Sequence, residues 1–253
     1  MADFHKSFNT ARKHIPGVVS LRELGRRHEG GSFLSTGLER LDELLGGGGL
    51  PVGRMSEFCG PASAGKTSLV NRILAGVTRR GGCVAYVDFF NALAPEFLQK
   101  AGADLENILW IRGAVGEAAL RRAVRQVEIL MQSGNFTLVV LDLVEPSPSG
   151  GDSVAGLPGG IWFRLQRAAE KSKSVLILLA GRSLSSGASA RVVSLRGEGG
   201  SWGGCSVPPG ENNSPLRDFR NREKRALLLG MKGSVAVMKG GRNGRSAIFH
   251  CHL

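Results

Sequence analysis

The sequence predicts an α/β protein with a mostly parallel sheet flanked by helices on both faces. Two observations carry this expectation. Short apolar runs of strand length recur at residues 55–59, 83–87, 108–111, 138–141 and 175–179, the pattern of buried parallel strands. Stretches with helical periodicity lie between them, so the order is a βαβ succession with right-handed crossovers.

Residues 1–32 are polar and charged, end in Glu29-Gly30-Gly31-Ser32, and are read as an N-terminal arm for assembly; residues 33–253 are read as the core. Leu38, Leu41, Leu44 and Leu45 keep helical spacing until the glycines at 46–49 stop the helix. The apolar run 55–59 leads through a glycine-rich turn into a helix-compatible run over 68–79. Leu120, Ala123, Val124, Val127 and Met131 mark one face of an amphipathic helix, and residues 161–171 supply another. The runs 190–195 and 235–239 predict extra C-terminal antiparallel strands. Between them, residues 196–225 are rich in Gly, Pro, Ser and Asn and are expected to form a long mobile loop.

The glycine-rich turn reads Gly60-Pro61-Ala62-Ser63-Ala64-Gly65-Lys66-Thr67, a complete G-x-x-x-x-G-K-[ST] pattern between a strand and a helix. Glycines let the backbone curl so that successive N–H groups point at phosphate oxygens. Lys66 brings charge to the outer phosphates, and Thr67, opening the helix, places its hydroxyl to ligate Mg²⁺. The pattern therefore predicts a nucleoside triphosphate site, with ATP and Mg²⁺ as cofactors. Residues 136–142 form an apolar strand ending in Asp142. An acid at that end of a strand, beside a phosphate loop, holds Mg²⁺ through water, so Asp142 is the second expected Mg²⁺ residue. An ordinary acid closing a buried strand is the alternative.

With 253 residues, 42% of them hydrophobic, the chain can bury a sizeable core. No stretch approaches the ~20 continuous apolar residues of a membrane span, and residues 1–27 lack the apolar centre of a secretory signal. A cytoplasmic protein without a membrane partner is expected. The four cysteines are scattered, without metal-site pairs or a disulfide framework. His250 and His252 share one face of a terminal strand, but no further ligand lies nearby in sequence. Lys and Arg number 33 against 21 Asp and Glu, a formal charge of +12 and a pI near 10.3, which favours a polyanionic partner. The excess clusters at Arg217, Arg220, Arg222, Lys224 and Arg225, the candidate DNA contacts. A solvated basic surface is the alternative, because only Phe219 is interleaved for base stacking.

Ser35-Thr36-Gly37-Leu38-Glu39-Arg40-Leu41-Asp42, the stretch from Gly47 to Arg54 and the phosphate loop together resemble the start of the bacterial RecA recombinase core. The similarity continues through Tyr86-Val87-Asp88, Ala94-Pro95 and residues 101–109 to the strand ending at Asp142, and covers residues 33–180 in register. This resemblance implies a RecA-like P-loop ATPase core, DNA repair or recombination as the setting, single-stranded DNA as a partner, and a homo-oligomer. It also implies that Lys239 and Arg242, after the strand over 235–239, reach the phosphates of a neighbouring subunit. Ordinary surface cations at a glycine-rich turn are the alternative.

The departures carry information too. The family's glutamate that orients the attacking water falls at Phe90, whose phenyl ring cannot polarise water. The family's glutamine that senses the γ-phosphate falls at Gly181, and the loop that grips single-stranded DNA shrinks to residues 183–188. In the short loop, the Ile108-Leu109-Trp110-Ile111-Arg112 strand and the arginine-rich tail the chain is similar to the ImuA-type proteins of bacterial damage-induced translesion synthesis, which resemble RecA but lack parts of its catalytic and DNA-gripping apparatus; this implies an SOS-response setting and translesion polymerase partners. The reading is an ATP-binding module of DNA repair and damage tolerance that uses nucleotide as a switch or assembly ligand. It is at most a weak ATPase, its catalytic residue unassigned; Asp88, Glu145 and Asp152 are the carboxylates weighed as replacement bases. An active DNA-dependent ATPase or recombinase is the alternative. A small-molecule kinase has less support, because no lid or substrate-directed arginine pattern stands out.

Overall fold

The computed structural model describes residues 33–46, 48–113, 117–145, 157–185, 187–204, 226–239 and 246–252. The N-terminal arm, Arg242 and the cluster from Arg217 to Arg225 lie outside the described residues. A short strand β1 (Phe33–Leu34) pairs antiparallel with β2 (Leu50–Pro51) around helix α1 (Glu39–Leu44). Next come β3 (Met55–Cys59), α2 (Lys66–Arg79), β4 (Val84–Asp88), α3 (Pro95–Lys100), a 3₁₀ turn (Leu105–Asn107) and β5 (Ile108–Arg112). They are followed by α4 (Glu117–Ser133), β6 (Leu138–Asp142), α5 (Gly160–Ser172), β7 (Val175–Ala180), β8 (Arg191–Gly204), β9 (Ala226–Lys239) and β10 (Ser246–His252).

The main sheet has eight strands in the order β10-β9-β8-β3-β7-β6-β4-β5. From β8 to β5 every neighbouring pair is parallel, and β9 and β10 add antiparallel strands at one edge. The parallel strands are apolar throughout because both of their faces are covered. Alternate side chains go to opposite faces. Phe58, Tyr86, Val140 and Ile177 pack on one side with Leu69, Val70, Ile73 and Leu74 of α2. Met55, Val87, Leu141 and Leu178 pack on the other with Leu120, Val124 and Val127 of α4 and Trp162 and Leu165 of α5. The result is three layers, helix on sheet on helix.

Two expectations are corrected. Residues 196–204, assigned to a mobile loop, continue β8, and their ladder with β9 reaches Gly204↔Ala226. The remainder of that expected loop, 205–225, lies outside the described residues. The helix after the phosphate loop begins at Lys66, one residue before its expected opening at Thr67, with Gly65 at φ 85° as its N-cap.

Among the described residues the connection from β7 to β8 carries no helix, and it crosses β3, since both strands flank β3 in parallel. Glu57, in the middle of β3 and fully buried, fastens this crossing. It accepts from Ser183 Oγ at 2.9 Å, from the Leu184 backbone N–H and from Ser185 Oγ. A buried carboxylate needs such donors, and here the segment that follows Gly181 supplies them.

Candidate nucleotide site

In parallel α/β sheets the crevice at the carboxyl ends of the strands is where loops and helix N-termini converge. The chain turns there from Cys59 into the phosphate loop. Positive φ angles at Gly60 (154°), Ser63 (58°) and Gly65 (85°) curl this loop into a concave nest of N–H groups, the arrangement that holds anions. Glycine is required at position 60, where a Cβ would stand 2.2 Å from the Leu195 carbonyl oxygen. A Cβ at Gly197 would lie 3.3 Å from the Ser63 oxygen, so β8 supports the loop from behind.

Lys66, the first residue of α2, is buried, and its Nζ donates to the Gly60 and Pro61 carbonyls at 2.6 Å each. Burial pulls its pKa down, against the opposing pull of the Asp142 carboxylate. Both carbonyls belong to the first two residues of the loop, so the ammonium is held against the loop's start. Thr67 and Ser68 are half-buried beside it.

Asp142 ends β6 and is buried. It accepts a hydrogen bond from the Tyr86 hydroxyl and one from the Val144 N–H at 2.9 Å. Desolvation by burial raises its pKa from 3.8 to about 6, while the two hydrogen bonds and Lys66 oppose the rise and Asp88 adds to it. A buried carboxylate whose charge is disfavoured in this way suits a cation site, because a divalent ion supplies the missing countercharge. The nest, the ammonium and this carboxylate thus fit a triphosphate with Mg²⁺.

Asp88 is Asp142's partner across the ladder. Its oxygens accept from the N–H groups of Ala92 and Leu93 and from Trp110 Nε1 at 2.9 to 3.2 Å. Three donors fix it as a structural anchor for the β4–α3 turn, which removes it as a replacement base. Phe90 is half-buried, packs on the apolar layer that includes Ile111, and meets Phe89 edge-on at 4.8 Å between centroids. Gly181 is exposed, and a Cβ built there meets nothing within 4 Å. Glu145 follows β6 closely, and Asp152 lies outside the described residues. Lys239, at the end of β9, donates from Nζ to the Gly187 carbonyl at 2.7 Å.

Sequence reasoning missed a cleft of about 800 Å³ next to Thr67, between α2 and α3. Its lining includes Asn71, Arg72, Arg79, Phe97 and Lys100. Asn71 is buried, and its side-chain oxygen has no partner among the described residues. Phe97 is 51% exposed, with Lys100 Nζ 5.3 Å from its ring centre. The only signal in the sequence was a large exposed aromatic on a short polar helix. Tyr86, which holds Asp142, sits in the Tyr86-Val87-Asp88 strand, where nothing in the sequence marks that bond. Among the described residues no group of three or more His, Cys, Asp or Glu could hold a metal by itself, and no helix is long and apolar enough to cross a membrane.

A family model for the RecA N-terminal domain matches residues 8–148. Protein RecA of Clavibacter michiganensis subsp. michiganensis is 38% identical over 167 residues, which are 62% of this chain and 45% of that protein. Protein RecA of Streptomyces venezuelae is 37% identical over 192 residues, 70% of this chain and 50% of that protein. Protein RecA of Acidiphilium cryptum is 36% identical over 176 residues, 64% and 50% respectively. The chain therefore spans about half the length of the curated relatives it matches.

Proposed function

The chain belongs to the RecA N-terminal domain family, and from that premise we propose that it is a cytoplasmic ATP-binding protein of DNA repair and damage tolerance. In this reading nucleotide acts mainly as a switch or assembly ligand, with weak hydrolysis. The observation that carries it is a contrast within one site. The phosphate loop, Lys66 and Asp142 converge in an arrangement that supports triphosphate binding, whereas the position of the family's water-orienting carboxylate holds Phe90, packed against Phe89.

Lys66 and the loop N–H groups would hold the phosphates, Thr67 and Asp142 would hold Mg²⁺, and the cleft lined by Asn71 and Phe97 would receive the nucleoside. Bound Mg²⁺ would neutralise phosphate charge, which by itself supports slow hydrolysis. Neither Phe90 nor Gly181 can accept a proton from water or sense a phosphate. Nucleotide can then shift an equilibrium only by its differential affinity for two states.

Assembly is supported by the sheet's outer strand β5, unpaired on one side among the described residues, where Leu109 is 45% exposed. Residues 1–32 remain the proposed assembly arm, Lys239 and Arg242 proposed contacts to a neighbour's phosphates, and the cluster from Arg217 to Arg225 a proposed DNA contact. The Phe90 and Gly181 departures support placing the protein in the SOS response beside translesion polymerases. A second reading, an active DNA-dependent ATPase, draws on the complete phosphate loop and Asp142.

Phe90→Glu discriminates between the two. The first reading predicts that Mg²⁺-dependent ATP turnover rises by about 100-fold or more, the lower end of the usual scale of a placed general base. Unchanged turnover in a folded variant that still binds ATP would reject a missing carboxylate as the reason for slow hydrolysis.

A further inference from the structure

On the face of the sheet away from α2, helices α4 and α5 lie side by side, and a groove of about 470 Å³ runs between them. Its walls carry Arg125 from α4 and Arg164, Arg167 and Lys171 from α5, with Glu128 between them. Four cations face one carboxylate. Glu128 is buried and pins two of the cations: Arg164 Nη2 donates to it at 2.6 Å and Arg125 Nη1 at 3.2 Å. Both guanidinium side chains stay about 60% exposed, at 61% and 62%. Arg167 and Lys171 are exposed as well. Such a groove presents pre-oriented arginine forks to solvent, the geometry that matches phosphate oxygens.

From this arrangement we infer that the groove between α4 and α5 is a binding surface for the phosphodiester backbone of a nucleic acid. An acidic peptide helix shares the charge but docks through apolar anchors, and no exposed large apolar side chain lines the groove; the exposed Ile129 and Phe163 stand on the same helices outside its lining. Met131 in its floor is fully buried, Ala168 is small, and Gln132 and Ser172 are polar. The residues outside the described set offer no run of acidic side chains to fill it either, since they carry more Lys and Arg than Asp and Glu.

The surface stands apart from the nucleotide site. Apart from Arg125 at the middle of α4 and Arg164 in the first half of α5, the groove residues lie in the C-terminal halves of these helices, which lead into the starts of β6 and β7, whereas Asp142 and the phosphate loop lie at the strands' carboxyl ends. The inference rests on the proposed DNA role only for the identity of the polyanion. Backbone contacts of this kind read no sequence, so single-stranded and duplex DNA are both expected to bind.

The test is a fluorescence anisotropy titration of the full chain with labelled single-stranded and duplex oligonucleotides over a range of salt. Nucleotide is omitted, so failure of the ATP reading leaves the result interpretable. Arg167→Glu with Lys171→Glu should weaken binding by about 10-fold or more and reduce the slope of log affinity against log salt by about 2. Arg167→Gln with Lys171→Gln should give an intermediate loss at unchanged melting temperature, which separates lost contacts from lost fold. A matched reversal outside the groove, Arg40→Glu with Arg112→Glu, should weaken binding by less than about 3-fold. Wild-type affinity and slope in the groove variants would overturn the inference. So would an equal loss in the control pair, or poly-glutamate binding at the groove that DNA does not compete away.

Discussion

Asp142→Asn should stabilise the nucleotide-free protein while removing its Mg²⁺-dependent nucleotide binding. The carboxyl group is buried, and its pKa rises from 3.8 to about 6, with burial as the leading cause and Asp88 adding to it. A pKa raised by folding means that the folded state holds the proton more tightly than the unfolded chain. The associated stability is fully present below the unfolded value near 3.8 and is lost as pH rises through about 6. At about 1.4 kcal/mol for each pH unit, the nucleotide-free protein at neutral pH carries a penalty of about 3 kcal/mol from this group. Asparagine has nearly the same shape, keeps an acceptor for the Val144 N–H, and presents an amide to which the Tyr86 hydroxyl can turn an oxygen lone pair. For a domain of this size, about 3 kcal/mol corresponds to a melting temperature about 5–10 °C higher.

The assay is a thermal melt of both proteins across pH 4 to 8, without nucleotide and then with ATP and Mg²⁺. The variant's advantage should open between about pH 4 and 6 and stay constant above. Ligand should raise the wild-type midpoint and leave that of the variant unmoved. A midpoint difference that does not change with pH, or a variant less stable than wild type at neutral pH, would refute the reasoning.

Two further outcomes follow from the geometry. Gly60→Ala places a methyl group where 2.2 Å separates it from the Leu195 oxygen. The loop must shift, and ATP affinity measured by calorimetry should fall by about 10-fold or more, with a loss of about 1–3 kcal/mol in stability. Glu57→Ala removes the buried acceptor shared by Ser183 Oγ, the Leu184 N–H and Ser185 Oγ. Its urea midpoint should fall by the equivalent of about 2–4 kcal/mol, and amide exchange should quicken first in residues 181–190; exchange protection there equal to wild type would contradict the role assigned to Glu57.

Much of this architecture is local in origin and so was legible in the sequence. The apolar runs that became β3, β6 and β7 are bounded by residues that end strands, and the phosphate loop is a contiguous pattern whose chemistry its spacing announces. What depends on pairing at a distance was not. Residues 196–204 look like a loop by composition, and only the ladder to β9 makes them strand. The bond from Tyr86 to Asp142 joins neighbouring strands separated by 56 residues in sequence. Glu57 resembles any strand-interior acid until the crossing from β7 covers it. The arginines of α4 and α5 read as solvated helix faces, and they become a groove only once the two helices pack together. The cleft beside Thr67 was invisible for the same reason, since α2 supplies one wall and α3 the other.

The central claim is that this chain binds ATP with Mg²⁺ but lacks the group that makes hydrolysis fast. Its most direct test is Mg²⁺-dependent ATP turnover of the purified protein, with and without single-stranded DNA, alongside ATP binding measured by calorimetry and with Lys66→Ala as the blank. The account predicts saturable binding that the Lys66→Ala protein lacks, with turnover near that blank and not stimulated by DNA. Turnover well above the blank and raised by single-stranded DNA would contradict it, and would mean that a residue other than Phe90 or Asp88 supplies the base.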